Sequence, residues 1–286
     1  MTAAPLPDAV ATALADPARG ERLAVDAAGI PWSALAWGEV SARPLLLIHG
    51  VTSSAGNWWR LGPAFAASGR RVVAVDLPGH GLTGHWQGHH RFRDNAADVA
   101  DFARAAGLAT DALQVVGHSW GAMTAAALPA AGLRPATLVL LDPPAVPHAT
   151  ISAMAADPDE RTYDDPAEAL AAVRSDNPDW SDGDVAAKAE ALTQLDEAAA
   201  RSVLLDNGDW DGGLADLAHP AAAGIPVWVV RGDPAAGGLL PDAWLSAFEA
   251  CIGPGRIHTV AGGAHSPHRL QPVETTAAIL AALQAG

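Results

Sequence analysis

Four short apolar runs recur along this chain: LLLI (45–48), VVAV (72–75), VV (115–116) and LVLL (138–141). None alternates apolar with polar residues, as a strand with one wet face does. A strand that is apolar on both sides of its pleat needs cover on both faces. The runs are separated by helix-like stretches, so the pattern predicts strand–helix–strand units on a mostly parallel sheet flanked by helices. Half of the 286 residues are hydrophobic, enough for a large core and against general disorder.

Other segments fit that frame. RLAVDAAGIPWSALAWG predicts two antiparallel strands turning at Ala28-Gly29. The segment SAGNWWRLGPAFAASG predicts a helix ending at Gly69, and DNAADVADFARAAG one with Asp94 as N-cap and Gly107 at its end. SWGAMTAAALPAAG predicts a further helix. After Pro143 the alternation stops for about 80 acidic, alanine-rich residues. It resumes with IPVWVVRG (strand), PDAWLSAFEACIG (helix), RIHTVAG (strand) and a terminal helix from about Pro272 to Ala285. The expected organisation is a core of residues 1–142 and 226–286, interrupted after the sixth strand by a helical cap, 143–225.

Charge narrows the partners. The net charge is −15, and segment 143–225 alone holds 17 acids against four bases. That disfavours nucleic acid and anionic membranes as partners, and predicts that the cap disfavours polyanionic substrates. The N-terminal stretch has no basic residue before Arg19 and no continuous apolar run, so neither a signal peptide nor a membrane span is expected, and the cytoplasm is the expected location. The single cysteine, Cys251, excludes an intrachain disulfide and reads as a small core residue. Nothing points to a metal or a cofactor. His85, His89 and His90 cluster with Trp86, but the glycines around them argue for a loop rather than a ligand-bearing helix. DLPGHGLTG lacks the lysine of a phosphate-binding loop. A small-molecule substrate is expected, with the chain a monomer or homodimer.

The chemistry concentrates at QVVGHSWGAM. Gly117-His118-Ser119-Trp120-Gly121 fits G-x-S-x-G, in which a strained turn between strand and helix projects the serine over the sheet edge. Side chains two before and two after would collide with the neighbouring strand and helix, hence the glycines. The helix that follows directs its N-terminal amides toward the same spot, where charge develops on an attacked carbonyl. A serine hydroxyl needs a base, itself oriented by an acid. In this chain order both follow the serine, each just past a later strand. His265, in the loop after the last strand, is the base; His268 lines the entrance or the surface. Asp233, directly after VWVVRG, is the favoured acid, and Asp142, after LVLL, is the rival.

Together LLLIHG, VVAVDLPGHG, VVGHSWG, LVLLD, VVRGDP and GGAHSPH resemble the α/β-hydrolase superfamily in order and spacing, over nearly the full length. The resemblance implies an eight-stranded sheet with a helical cap. It also implies an oxyanion hole made by the backbone N–H groups of Val51 and Trp120, with His49 and Gly50 shaping the loop. The family's G-x-x-D spacing before the acid is not kept, since Gly232 directly precedes Asp233. His49, Gly50, Trp58 and His118 are the candidate substrate-pocket residues.

The resulting expectation is a serine hydrolase with a Ser119–His265–Asp233 triad acting on small, neutral carboxylic esters through an acyl-enzyme. The same triad also serves carbon–carbon (diketone), lactone and amide hydrolysis and cofactor-free perhydrolysis. Epoxide hydrolases and dehalogenases of this fold use an aspartate nucleophile, which Ser119 argues against. A non-catalytic receptor or scaffold is the alternative of another class, and it has no need of His265 or a strained elbow.

Overall fold

A computed structural model describes residues 5–83, 90–156, 161–219, 222 and 224–286. The chain opens with helix α1 (Asp8–Ala15), then β1 (Glu21–Ala27), β2 (Ile30–Trp37) and β3 (Arg43–Ile48). A 3-10 turn at Ala55–Trp58 leads into α2 (Leu61–Ala67), β4 (Arg70–Val75) and α3 (Phe92–Ala105). Next come β5 (Gln114–His118), α4 (Trp120–Ala127) and β6 (Thr137–Leu141). The segment after β6 carries β7 (Ala145–Val146), α5 (His148–Ala156), α6 (Pro166–Asp176), α7 (Asp182–Thr193), α8 (Glu197–Leu205), β8 (Trp210–Asp211) and α9 (Leu214–Leu217). The chain closes with β9 (Val227–Gly232), α10 (Leu245–Ile252), β10 (Ile257–Val260), α11 (Pro267–Leu270) and α12 (Pro272–Ala285).

Eight strands form one sheet in the order β1-β2-β4-β3-β5-β6-β9-β10. β1 and β2 run antiparallel, β2 meets β4 antiparallel, and every other pairing is parallel. The β1–β2 hairpin turns at Ala28 and Gly29, both at positive φ, the conformation a two-residue hairpin requires. Successive residues of the apolar runs face opposite ways. Leu46, Ile48, Val73, Val75 and Val115 pack under α3 and α4 with Phe102 and Met123. Leu45, Leu47, Val72, Ala74 and Val116 pack against Val10, Leu61, Phe65 and Ile279 of α1, α2 and α12. Each such side chain, wholly buried, contributes about 1.5–3 kcal/mol.

Three of the inserted helices, α6, α7 and α8, begin on side-chain caps. Asp165 accepts from Ala167 N–H, with Pro166 at the first helical position; Ser181 accepts from Asp184 N–H, and Asp196 from Ala198 N–H. α6 and α7 share a small core of Ala169, Val173, Val185, Ala189 and Leu192. The short β7–β8 pair, which the alanine-rich sequence does not signal, ties the two ends of this segment together. α7 lies against the 3-10 turn after β3. Gly183 is required there, because a side chain would overlap the Trp59 ring. Arg60 pairs with Asp184 and hydrogen-bonds Ser181.

Three local expectations are corrected. Cys251 is exposed rather than in the core, since Phe248 and Ile252 supply the buried face of α10. Helix α3 starts two residues before Asp94, which lies in its first turn paired with Arg91. The helix expected from Ser54 splits into the 3-10 turn and α2. His85, Trp86 and His89 lie outside the described residues, whereas His90 is buried. Among the described residues no helix is long and apolar enough to cross a membrane.

The two covered faces predict a contrast in denaturant unfolding. Leu47→Ala, at a wholly buried position, is expected to cost about 2–5 kcal/mol at unchanged m-value. Leu170→Ala, on an exposed helix face, should change stability by less than about 0.5 kcal/mol.

Candidate active site

Register brings the site together at the carboxyl ends of the strands, the usual place for ligands on an open parallel sheet. Ile48 pairs with Gly117, His118 with Leu141, Leu141 with Val230, and Gly232 with Val260. The residues just beyond these pairs therefore emerge side by side: His49 and Gly50, Ser119, Asp142, Asp233, and the loop to His265.

Ser119 adopts φ 56° and ψ −125° between β5 and α4. Its strain, typically 1–3 kcal/mol, is held by close packing. A side chain at Gly117 would overlap the Gly121 carbonyl, and one at Gly121 would overlap those of Ile48 and His49. A Cβ on Gly50 would lie 2.9 Å from that of Ser119, so the loop leaving β3 runs directly against the serine.

The Ser119 hydroxyl lies 2.8 Å from His265 Nε2. His265 Nδ1 lies 2.7 Å from an oxygen of Asp142, which is wholly buried. A carboxylate can only accept, so Nδ1 carries the proton and Nε2 is left to receive one from the serine. Asp142, not Asp233, is thus the acid on His265, which corrects the favoured assignment. Asp233 instead caps the 3-10 turn after β9, accepting from Ala235 N–H at 2.9 Å and from Gly262 N–H at 3.3 Å. Asp142 is held from further along the chain. Its oxygens accept from Gly232 N–H (2.9 Å) and Leu239 N–H (3.0 Å).

Trp120 is the first residue of α4, so its N–H is among those without an intrahelical acceptor. Val51 follows Gly50 in the loop packed on Ser119. The next residue, Thr52, has φ 56°; its hydroxyl donates to the Val51 carbonyl at 2.6 Å. His49 donates from Nδ1 to the Gly50 carbonyl (2.7 Å) and accepts from Leu77 N–H at Nε2 (3.0 Å), an internal brace for this loop.

His118 is buried and donates from Nε2 to the His265 backbone carbonyl at 2.9 Å, steadying the loop that carries the base. Rings then continue outward: His118 meets His268 edge-on at 4.7 Å, and His268 stacks on Trp58 at 5.6 Å. His268 is therefore buried rather than at the surface, and Trp58 adjoins the site through it. Burial is the largest force holding His118 and His268 well below the usual imidazole range. Neither Lys188 nor Arg269 was singled out in the sequence, yet both are buried here. Arg269 donates to Asn57 and lies over the Trp180 ring. A signal for the first did exist: Lys188 is the only lysine in the chain.

Behind the loop, burial pushes His49 down to about 4 and His80 to about 3. Unfolded, both imidazoles take up protons below about pH 6.5, whereas folded they stay neutral at pH 5. The unfolded state then binds more protons, so stability is full above pH 7 and falls with acid. Between pH 7.5 and pH 5 each should cost the fold about 2 kcal/mol. Urea melts across that range are expected to show the loss, and His80→Gln should flatten the slope.

Residues 45–279 match the alpha/beta hydrolase family. A serine hydrolase-like protein of Dictyostelium discoideum is 35% identical over 98 residues, 33% of this chain and 26% of its own length. One from Danio rerio is 34% identical over 97 residues, 32% of this chain and 29% of its own. The chain thus spans under a third of the length of these curated relatives. The crystal structure of E-2-(acetamidomethylene)succinate hydrolase superposes with a TM-score of 0.77 at 22% identity, covering 93% of this chain and 99% of that one. With the family match running from β3 into the terminal helix, the chain belongs to the alpha/beta hydrolase family.

Proposed function

We propose that this protein is a serine hydrolase that cleaves carboxylic esters through an acyl-enzyme. The observation that carries the reading is the unbroken hydrogen-bonded series Ser119–His265–Asp142, set on a strained elbow at the sheet edge. The carbonyl carbon of the ester is attacked by Ser119 Oγ while His265 Nε2 takes the hydroxyl proton. Asp142 holds the imidazole in the productive tautomer and stabilises the imidazolium. The Val51 and Trp120 amides receive the oxyanion, each worth about 3 kcal/mol to the transition state. His265 then protonates the departing alcohol, and water, deprotonated by the same imidazole, releases the acid. His118, Gly50 and His49 act on this sequence by position. His118 anchors the His265 loop; Gly50 and His49 fix the loop that carries Val51.

Residues 143–225 are read as a cap over the site, which the docking of α7 on Trp59 and Arg60 supports. No cofactor takes part in these steps.

A fluorophosphonate probe should label the protein at Ser119, and Ser119→Ala should abolish both labelling and p-nitrophenyl ester turnover. A labelled serine elsewhere, or turnover surviving in Ser119→Ala, would overturn the reading. Asp142→Asn is expected to lower kcat by about four orders of magnitude. Asp233→Asn, which loses only a turn cap, should stay within about tenfold of the parent in kcat/KM. The reverse ranking would return the acid role to Asp233.

A further inference from the structure

Beside the nucleophile and its carboxylate, Asp142, stand two buried cations in a chain of negative net charge. The protein carries −15 overall, with one lysine among sixteen arginines. That lysine is not in solvent, where lysines almost always stay; Lys188 is 5% exposed. From α7 its ammonium donates to the carbonyl and the hydroxyl of Thr52, both at 2.8 Å, directly after Val51. Arg269, four residues after His265, is 7% exposed, donates to Asn57 Oδ1 at 2.5 Å and stands 4.0 Å over the Trp180 ring. Both cations act on the rings flanking the nucleophile. Arg269 and Lys188 oppose protonation of His118, and Arg269 with Arg60 opposes that of His268. The imidazoles stay neutral, and the positive charge stays on the lysine and the arginines.

The same wall holds unused hydrogen-bonding atoms. Trp58 Nε1 and His268 Nδ1, on the stacked rings, are buried with no hydrogen-bond partner among the described residues. An indole N–H can only donate, and leaving one dry costs about 1–3 kcal/mol. Every described acid of segment 143–225 is exposed or half-buried except Asp184, and Asp184 is engaged by Arg60, Ser181 and Trp59.

A nucleophile flanked by buried cations and an unsatisfied indole donor, Trp58 Nε1, is complementary to an anionic acceptor. We propose that the substrates cleaved at Ser119 carry a carboxylate, drawn in by Lys188 and Arg269 and hydrogen-bonded by the Trp58–His268 pair. This rests on the serine-hydrolase reading and replaces the expectation of neutral esters, because every described acid of the segment that motivated it, Asp184 apart, is exposed or half-buried.

Two matched esters test the proposal: mono-p-nitrophenyl glutarate, which keeps a free carboxylate, and its methyl ester, which does not. The parent protein should favour the carboxylate by at least tenfold in kcat/KM, mostly through KM. Lys188→Met and Arg269→Met should each bring that ratio toward one. A parent that turns over the methyl ester as fast or faster, or a ratio unmoved in both variants, overturns the proposal. A second measurement needs no variant and no turnover. Protein labelled with ¹⁵N-lysine carries a single side-chain ammonium signal, that of Lys188. Titration with glutarate should shift it and glutaramide should not; equal shifts, or none, overturn the proposal. Loss of fluorophosphonate labelling at Ser119 would sink the hydrolase reading alone, and the titration would still decide the charge preference.

Discussion

The site depends on one buried carboxylate. Asp142 has no contact with solvent, and burying an ion costs several kcal/mol unless its lone pairs are taken up. Here they are: two backbone N–H groups, Gly232 and Leu239, and the imidazole of His265 converge on its two oxygens. Those bonds join the end of β6 to the end of β9, to the loop after it, and to the loop after β10. One charge thus fixes three chain segments and the tautomer of the base. Ser119 and the loop of Gly50 to Thr52 arrive from the adjacent strands β5 and β3, so sheet register places them beside His265 without long loops having to fold precisely.

Much of this was legible because it follows from local rules. The apolar runs marked the strands, and their lack of alternation marked a sheet covered on both faces. Glycines at 117 and 121 marked the elbow for a steric reason that the packing on Gly121, Ile48 and His49 bears out. Between two aspartates the sequence favoured the wrong one, Asp233, because each stands one residue past a strand and chain order permits both. A finer local reading does separate them. Asp233 has Ala235 two residues on, whose N–H it accepts. Asp142 is followed by Pro143 and Pro144, and prolines have no N–H to offer a nearby carboxylate. Its oxygens are left for partners 90 to 123 residues away, which no local pattern encodes. Lys188 and Arg269 were missed for the same reason: their burial is set by packing between α7, α11 and the loops below.

The inserted segment separates its charges by side. Its helices start on their own aspartate and serine caps and present acids to water. The face that meets the loops after β3 carries Asp184, bound to Arg60, and Lys188, bound to Thr52. A strongly acidic sequence thus surrounds a site where buried cations stand among buried carboxylates, and net charge says little about what Ser119 experiences.

Among the described residues, only four that are not glycine have positive φ: Ala28, Thr52, Ser119 and Asp142. The first belongs to a hairpin far from the chemistry; the other three stand at the ends of β3, β5 and β6, around the reacting centre. Backbone torsions that L-amino acids avoid are thus concentrated at Ser119, at the carboxylate bound to His265 and in the loop packed on that serine. Efforts to make this protein more heat-resistant by relaxing such torsions would find their largest gains at the positions its proposed chemistry can least spare, so durability has to be sought in the helices and hairpin instead.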